Sequence, residues 1–116
     1  QTERILAAAA QYQLKPKIHV NQFTTIGGIT TAVKHGALSV DHLEVMAPED
    51  YDALANSKTV AVALPSCSFF IQIPYTPAKE LIQRNIPLVL ATDFNPGTSP
   101  SLNMNFVVAL ACIQMK

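Results

Sequence analysis

The sequence predicts an α/β fold of parallel strands, and three observations carry that expectation. Four short β-prone runs alternate with stretches of helical periodicity. The connections are short, which favours parallel strands joined by right-handed crossovers. A polar residue (His19, His42, Ser66 or Asp93) closes each run, at a near-constant step of one strand–helix unit. Parallel strands bring such ends to a single rim, and in (β/α)₈ barrels that rim carries the catalytic residues. Four units amount to half of such a barrel, a partial (β/α)₈ fold.

Residues 3–14 read as a helix leading into the first strand, "PKIHV" (16–20). Gly27-Gly28 introduces a helix with Ile29, Ala32 and Val33 on one face and Gly36 as its cap. "ALSVDHL" (37–43) is the second strand. Pro48, Glu49 and Asp50 open the next helix, with acids placed well for its dipole. "TVAVALP" (59–65) is the third strand, and its unbroken apolar run predicts burial on both faces. Thr76-Pro77 is expected to cap "PAKELIQRN", and "IPLVLATD" (86–93) is the fourth strand. Ser101 is expected to cap a last helix that turns Leu102, Phe106, Leu110 and Ile113 inward.

At 116 residues, 49% apolar and 14% charged, the chain is sized for one domain with a real core. Eight basic side chains balance eight acidic ones. This gives no electrostatic case for nucleic acid or an anionic membrane surface. No apolar run approaches the ~18 residues of a membrane span and no signal peptide is visible, so a cytoplasmic location is expected. Cys67 and Cys112 lie outside any CxxC setting and read as free core thiols. The first residue is not Met and the chain ends within the apolar "VVALACIQMK"; both features point to a piece of a longer chain.

Singly, each polar residue has a bland reading. His19 would be a satisfied core histidine, Asp41 and His42 part of a turn or cap, and Asp93 turn chemistry with Asn95 and Gly97. His35, in the last turn of a helix, is structural. Together they weigh more. A carboxylate at the exit of a buried strand needs a partner. Two histidines and an aspartate at equivalent strand ends supply the ligand types of a catalytic Zn²⁺ or Fe²⁺ site. Gly27-Gly28 is not a GxGxxG loop, and no Walker-type phosphate loop occurs.

"KIHVNQF", "GALSVDHLE" and "LVLATDFNPGTSPSLNM", in that order and spacing, resemble the imidazolonepropionases, metal-dependent amidohydrolases of histidine degradation. The resemblance covers essentially the whole chain. It implies that residues 1–116 are a single fragment, strands five to eight of the barrel, without the N-terminal half and the small β-domain. It implies a single Zn or Fe ion, with His19 as the fifth-strand ligand and Asp93 as the eighth-strand ligand. The HxH pair of the family's first strand does not occur in this sequence. His42 matches the histidine that contacts the substrate and stabilises its carbonyl oxygen, and Asn95 and Gly97 match contacts to the imidazolone ring. Gln22 falls where some relatives carry a water-activating Glu; an amide cannot take that proton, so base work would pass to Asp93. The implied reaction is hydrolysis of the cyclic amide of 4-imidazolone-5-propanoate to N-formimino-L-glutamate.

The implied partner is thus a small molecule, not nucleic acid or membrane. The fragment alone is expected to be inactive and, with two bare strand edges, to associate as a dimer or larger. Two rival readings stand beside this one. Another hydrolase or deaminase of the amidohydrolase type would share the His and Asp positions but lack Asn95-Pro96-Gly97 after Asp93. A non-catalytic α/β assembly module would bind no metal at His19 and Asp93.

Overall fold

The structure is a computed structural model that describes residues 1–115. Its elements are α1 (Thr2–Gln11), β1 (Lys17–Val20), α2 (Gly28–Lys34), β2 (Ser39–His42), α3 (Pro48–Ala55), β3 (Val60–Ala63), α4 (Pro65–Ile71), α5 (Ala78–Gln83), β4 (Leu88–Leu90) and α6 (Met104–Gln114). The four strands form one sheet in the order β1-β2-β3-β4, every pair parallel. The predicted α/β class and the four strands are therefore present, each strand shorter at its ends than its apolar run.

Strand residues alternate between two faces, and the register makes each face a row. Ile18, Val40, Ala61 and Leu88 lie side by side and pack into a core with Ile29 and Ala32 of α2, Tyr51 and Leu54 of α3 and Leu81 of α5. The next row, His19, Asp41, Val62 and Val89, lies on the opposite face, where Val89 is 49% exposed. β3 is accordingly not buried on both faces. Ala61 and Ala63 are buried, while Val60 and Val62 are half-buried.

Gly28 lets the start of α2 come down onto the end of β1: a Cβ there would lie 3.0 Å from Val20 Cγ1. The glycine cap expected after α2 forms at Gly36 (φ 64), whose N–H donates to the Val33 carbonyl while Ala37 N–H reaches Ala32. Four local expectations fail. The segment after β3 turns into helix α4, started by Pro65 in the first helical turn, where no helix was expected. Thr76 does not cap α5; its hydroxyl donates to the backbone carbonyl of His42 at 2.6 Å. Nor does Ser101 cap α6. Asn103 does, through its side-chain oxygen and Phe106 N–H. The inward face of α6 is Val107 and Leu110, with Leu102 67% and Ile113 59% exposed. That later start places Phe106 edge-to-face on Phe69 of α4, centroids 5.4 Å apart.

Among the described residues, no helix is long and apolar enough to cross a membrane. Leu54 is fully buried between α2, α3 and the sheet, so Leu54→Ala should destabilise the chain by about 2–5 kcal/mol. Ile82→Ala, at a mostly exposed site, should stay within ~0.5 kcal/mol. Urea unfolding midpoints of the two variants check this contrast.

Candidate metal centre

The backbone leaves ordinary geometry at the ends of three helices, at Gln13, Gln72 and Asn85, and at the C-terminal ends of three strands. Asn21 (φ 56), His42 (φ 88), Leu43 (φ 66) and Asp93 (φ 51) all adopt positive φ at or just beyond the ends of β1, β2 and β4. Non-glycine residues in this region cost of order 1–3 kcal/mol each and persist only where the surroundings hold them. Each is held here. The Asn21 side-chain amide donates to Asp50 at 2.8 Å, and the Asn21 backbone carbonyl accepts from Val45 N–H at 3.0 Å. His42 is pinned by Thr76, and Leu43 N–H reaches the Val20 carbonyl. Asp93 is tied by Asn95, whose amide donates to its carbonyl at 2.7 Å and lies 3.4 Å from its carboxylate.

These turns bring His19, His42 and Asp93 together, with one candidate ligand atom from each, all within 4.8 Å of one another. The two imidazoles meet edge-on, centroids 4.9 Å apart at 61°. His19 is exposed and Asp93 half-buried, whereas His42 is buried. His19 Nε2 faces the Asp41 carboxylate at 3.5 Å, and Asp41 in turn accepts from Ser39 Oγ at 3.0 Å. Nδ1 is the His19 nitrogen left for a ligand, an arrangement of carboxylate behind imidazole typical of metal-binding histidines. On His42 the roles reverse, since Nδ1 faces Glu44 at 3.2 Å and leaves Nε2.

Two imidazoles and a carboxylate are a donor set suited to zinc or iron. Tetrahedral zinc with bonds near 2.1 Å holds its ligand atoms about 3.4 Å apart, so small side-chain rotations close the observed spacing. The residues present fit a divalent cation.

The other expected site residues divide. Gln22 lines a cleft of about 290 Å³ with His19, His42, Phe23 and Ile26, and its side-chain amide donates to Cys67 Sγ at 3.5 Å. Asn95 and Gly97 lie in the loop between β4 and α6 rather than on that cleft. Asn95 is the knot of this loop: its Oδ1 accepts from Gly97 and Thr98 N–H at 2.9 and 2.8 Å. Ser66, at the remaining strand end, is buried in the first turn of α4, outside the His–His–Asp cluster. Sequence reasoning assigned no role to Glu44 or to the Asp50 clasp. The His-x-Glu spacing was visible in "DHLE", but Asp50 resembled an ordinary acid at a helix start.

This parallel sheet with polar strand ends has the fold of a segment of larger α/β enzymes. An adenosine deaminase from Xanthomonas campestris with bound zinc superposes with a TM-score of 0.76 at 18% identity, over 98% of this chain and 29% of that one. A guanine deaminase from C. acetobutylicum with bound guanine gives 0.73 at 16% identity, over 94% and 30%. In sequence the relatives are more particular: along its whole length the chain matches imidazolonepropionases, as "ATDFNPG" and its companion motifs led one to expect. That of Flavobacterium johnsoniae is 65% identical over 116 residues, all of this chain and 28% of that protein. That of Flavobacterium psychrophilum is 66% identical over the same span and share, and that of Christiangramia forsetii 62% identical over 115 residues, 99% of this chain and 28% of the relative. The chain thus spans 28% of the length of these curated relatives. No protein-family model matches it.

Of the two thiols, Cys67 is buried in α4 and Cys112 exposed, so only the first is a core thiol as expected. Burial pushes the Cys67 thiol up, with the nearby Asp93 and Glu44 charges acting the same way and a hydrogen bond to Thr98 opposing. Since the thiolate is the reactive form, Cys112 should react with a thiol reagent at neutral pH and Cys67 only after denaturant is added. Mass spectrometry of the labelled chain reads which cysteine is modified; prompt labelling of Cys67 would contradict its burial.

Proposed function

We propose that this chain is strands five to eight of the barrel of an imidazolonepropionase, with the N-terminal half of that barrel and the small β-domain contributed by further sequence. The observation that carries the reading is the convergence of His19, His42 and Asp93 in a chain whose relatives are imidazolonepropionases. The substrate is 4-imidazolone-5-propanoate, a small molecule, and the product N-formimino-L-glutamate. A cytoplasmic setting goes with such a catabolic enzyme. Asn95-Pro96-Gly97 after Asp93 speaks for this activity over a deaminase.

In this reading His19 and Asp93 would hold one zinc or iron ion, together with ligands from outside the segment. Such an ion would polarise the substrate carbonyl and make a nearby water acidic. Asp93 accepts a proton from the attacking water as its oxygen bonds to the carbonyl carbon, then delivers it to the ring nitrogen as the C–N bond breaks. His42 lies against the carbonyl oxygen and stabilises the negative charge that develops there. Gln22, an amide, orients the substrate without taking a proton, and the Asn95–Gly97 turn borders the imidazolone ring.

In the full-length protein Asp93→Asn keeps the shape but loses the proton acceptor, so kcat should fall at least ~10²-fold. His42→Ala should lower kcat with metal content nearly unchanged. Loss of the metal in that variant, measured by atomic emission, would make His42 a ligand instead. Removing the ion with a chelator should abolish turnover, and adding zinc or iron back should restore it.

The 116-residue chain alone should show no turnover, because with His42 at the substrate it keeps only His19 and Asp93 as ligands, fewer than the three of a usual catalytic zinc. With β1 and β4 each bare on one side, it should sediment as a dimer or larger at micromolar concentration. A stable, cooperatively unfolding monomer would count against the half-barrel assignment.

A further inference from the structure

Had β2 run on as a regular strand, alternation would set His42 beside Val40 on the helix-covered face. Leu43 would then join Asp41 on the other face. The side chains lie the other way round. The His42 ring meets His19 edge-on, centroids 4.9 Å apart, while Leu43 is fully buried in the core with Val40 and Leu54. Val20, which pairs with His42 in the register, keeps to the helix-covered face and packs against that core. The exchange of faces is therefore made at the end of β2, where φ is 88 at His42 and 66 at Leu43. Two successive left-handed residues, neither of them glycine, cost stability and need something to hold them.

Thr76 is placed to do so. The pairing of β2 with β3 stops at Asp41 opposite Val62. The carbonyl of the next residue, His42, is taken instead by the Thr76 hydroxyl, which donates to it at 2.6 Å. Both residues are buried, so loss of that hydroxyl would leave a buried carbonyl unpaired. Thr76 is itself fixed, because its carbonyl accepts from Ala78 N–H at 2.8 Å at the start of α5. That helix is anchored by Leu81, fully buried in the same core. We propose that Thr76 is a positioning residue for His42: by holding its carbonyl in the left-handed turn, the hydroxyl keeps the ring on the rim beside His19 and off the helix-covered face. The proposal rests on the reading above that His42 acts at the substrate carbonyl. Thr76 acts only through the His42 backbone.

The experiment uses the full-length, metal-loaded protein. Thr76→Val keeps the β-branched shape and removes the hydroxyl. It should lower kcat by about 10- to 100-fold, the scale of loss that a misplacement of about 1 Å brings. KM and metal content should change less than ~2-fold, a split that a residue needed only for folding would not produce. Thr76→Ser retains a hydroxyl donor and should keep kcat within ~2-fold of wild type. Thr76→Cys, a weaker donor, should fall between the two, and it replaces Thr76→Val in every arm if that variant does not fold. On a His42→Ala background the substitution should cost less than ~2-fold more, because a residue that acts through another is silent once that one is gone. A crystal structure of the variant should show the His42 ring withdrawn from His19.

Wild-type kcat in the variant would overturn the proposal, as would a full additive loss on the His42→Ala background or an unmoved His42 ring. A failure of the catalytic reading looks different: His42→Ala would then retain wild-type kcat, and the ring position in the variant crystal would by itself uphold or overturn the placement.

Discussion

The Cα register that sets His19 opposite Asp41 and Val20 opposite His42 determines how far apart the site's donor side chains can lie. Parallel strands end on one side, and adjacent strands are about 4.8 Å apart. Donors on neighbouring strands therefore begin within reach of one ion or one small molecule. Asp93 comes from the far side of the sheet, beyond the end of β4, and reaches the same point because the chain turns back at φ 51 under the grip of Asn95. A slip of β1 by one residue would turn His19 to the helix-covered face and Ile18 to the rim. The apolar row Ile18, Val40, Ala61 and Leu88, packed into the core, opposes that slip.

The rim and the core divide the labour. Beneath the sheet, fully buried Ile29, Leu54 and Leu81 supply apolar burial, the dominant favourable contribution to folding. At the rim the chain accepts positive φ at bulky residues, a fully buried Glu44 side chain and a buried Asp50. Each departs from what stability alone would choose, and each bears on the placement of a site residue or its neighbour. Asp50 binds both Asn21 Nδ2 and Ala47 N–H, so it locks the segment after His19 to the start of α3. Local rules fail most densely at functional sites, and the strand ends here follow that pattern.

The sheet was legible because its runs are short, apolar and bounded by Pro, Gly and Asn, and because the polar terminators recur at one strand–helix step. His19, His42 and Asp93 were legible for the same reason. α4 was not: "PSCSFFI" has no polar–apolar helical stripe, and Pro65, Ser66, Cys67 and Ser68 all bury. Thr76 looked like a helix cap because Thr-Pro commonly precedes a helix, but the His42 carbonyl, far away in sequence, takes its hydroxyl. The face of α6 was misjudged because almost every residue of "MNFVVALACI" is apolar, so periodicity cannot say which side turns inward. Hydrogen bonds between distant segments, such as Ser68 to Glu44 or Asn21 to Asp50, leave no mark in local sequence.

The account stands on His19 and Asp93 binding one ion at the shared rim. A crystal structure of the full-length protein, with diffraction data collected on either side of the absorption edge of zinc or iron, tests it directly. The predicted result is one anomalous peak about 2.0–2.2 Å from a His19 ring nitrogen and an Asp93 carboxylate oxygen, the ordinary range for such bonds. A fully occupied metal bound elsewhere, with His19 and Asp93 turned away from it, would contradict the account.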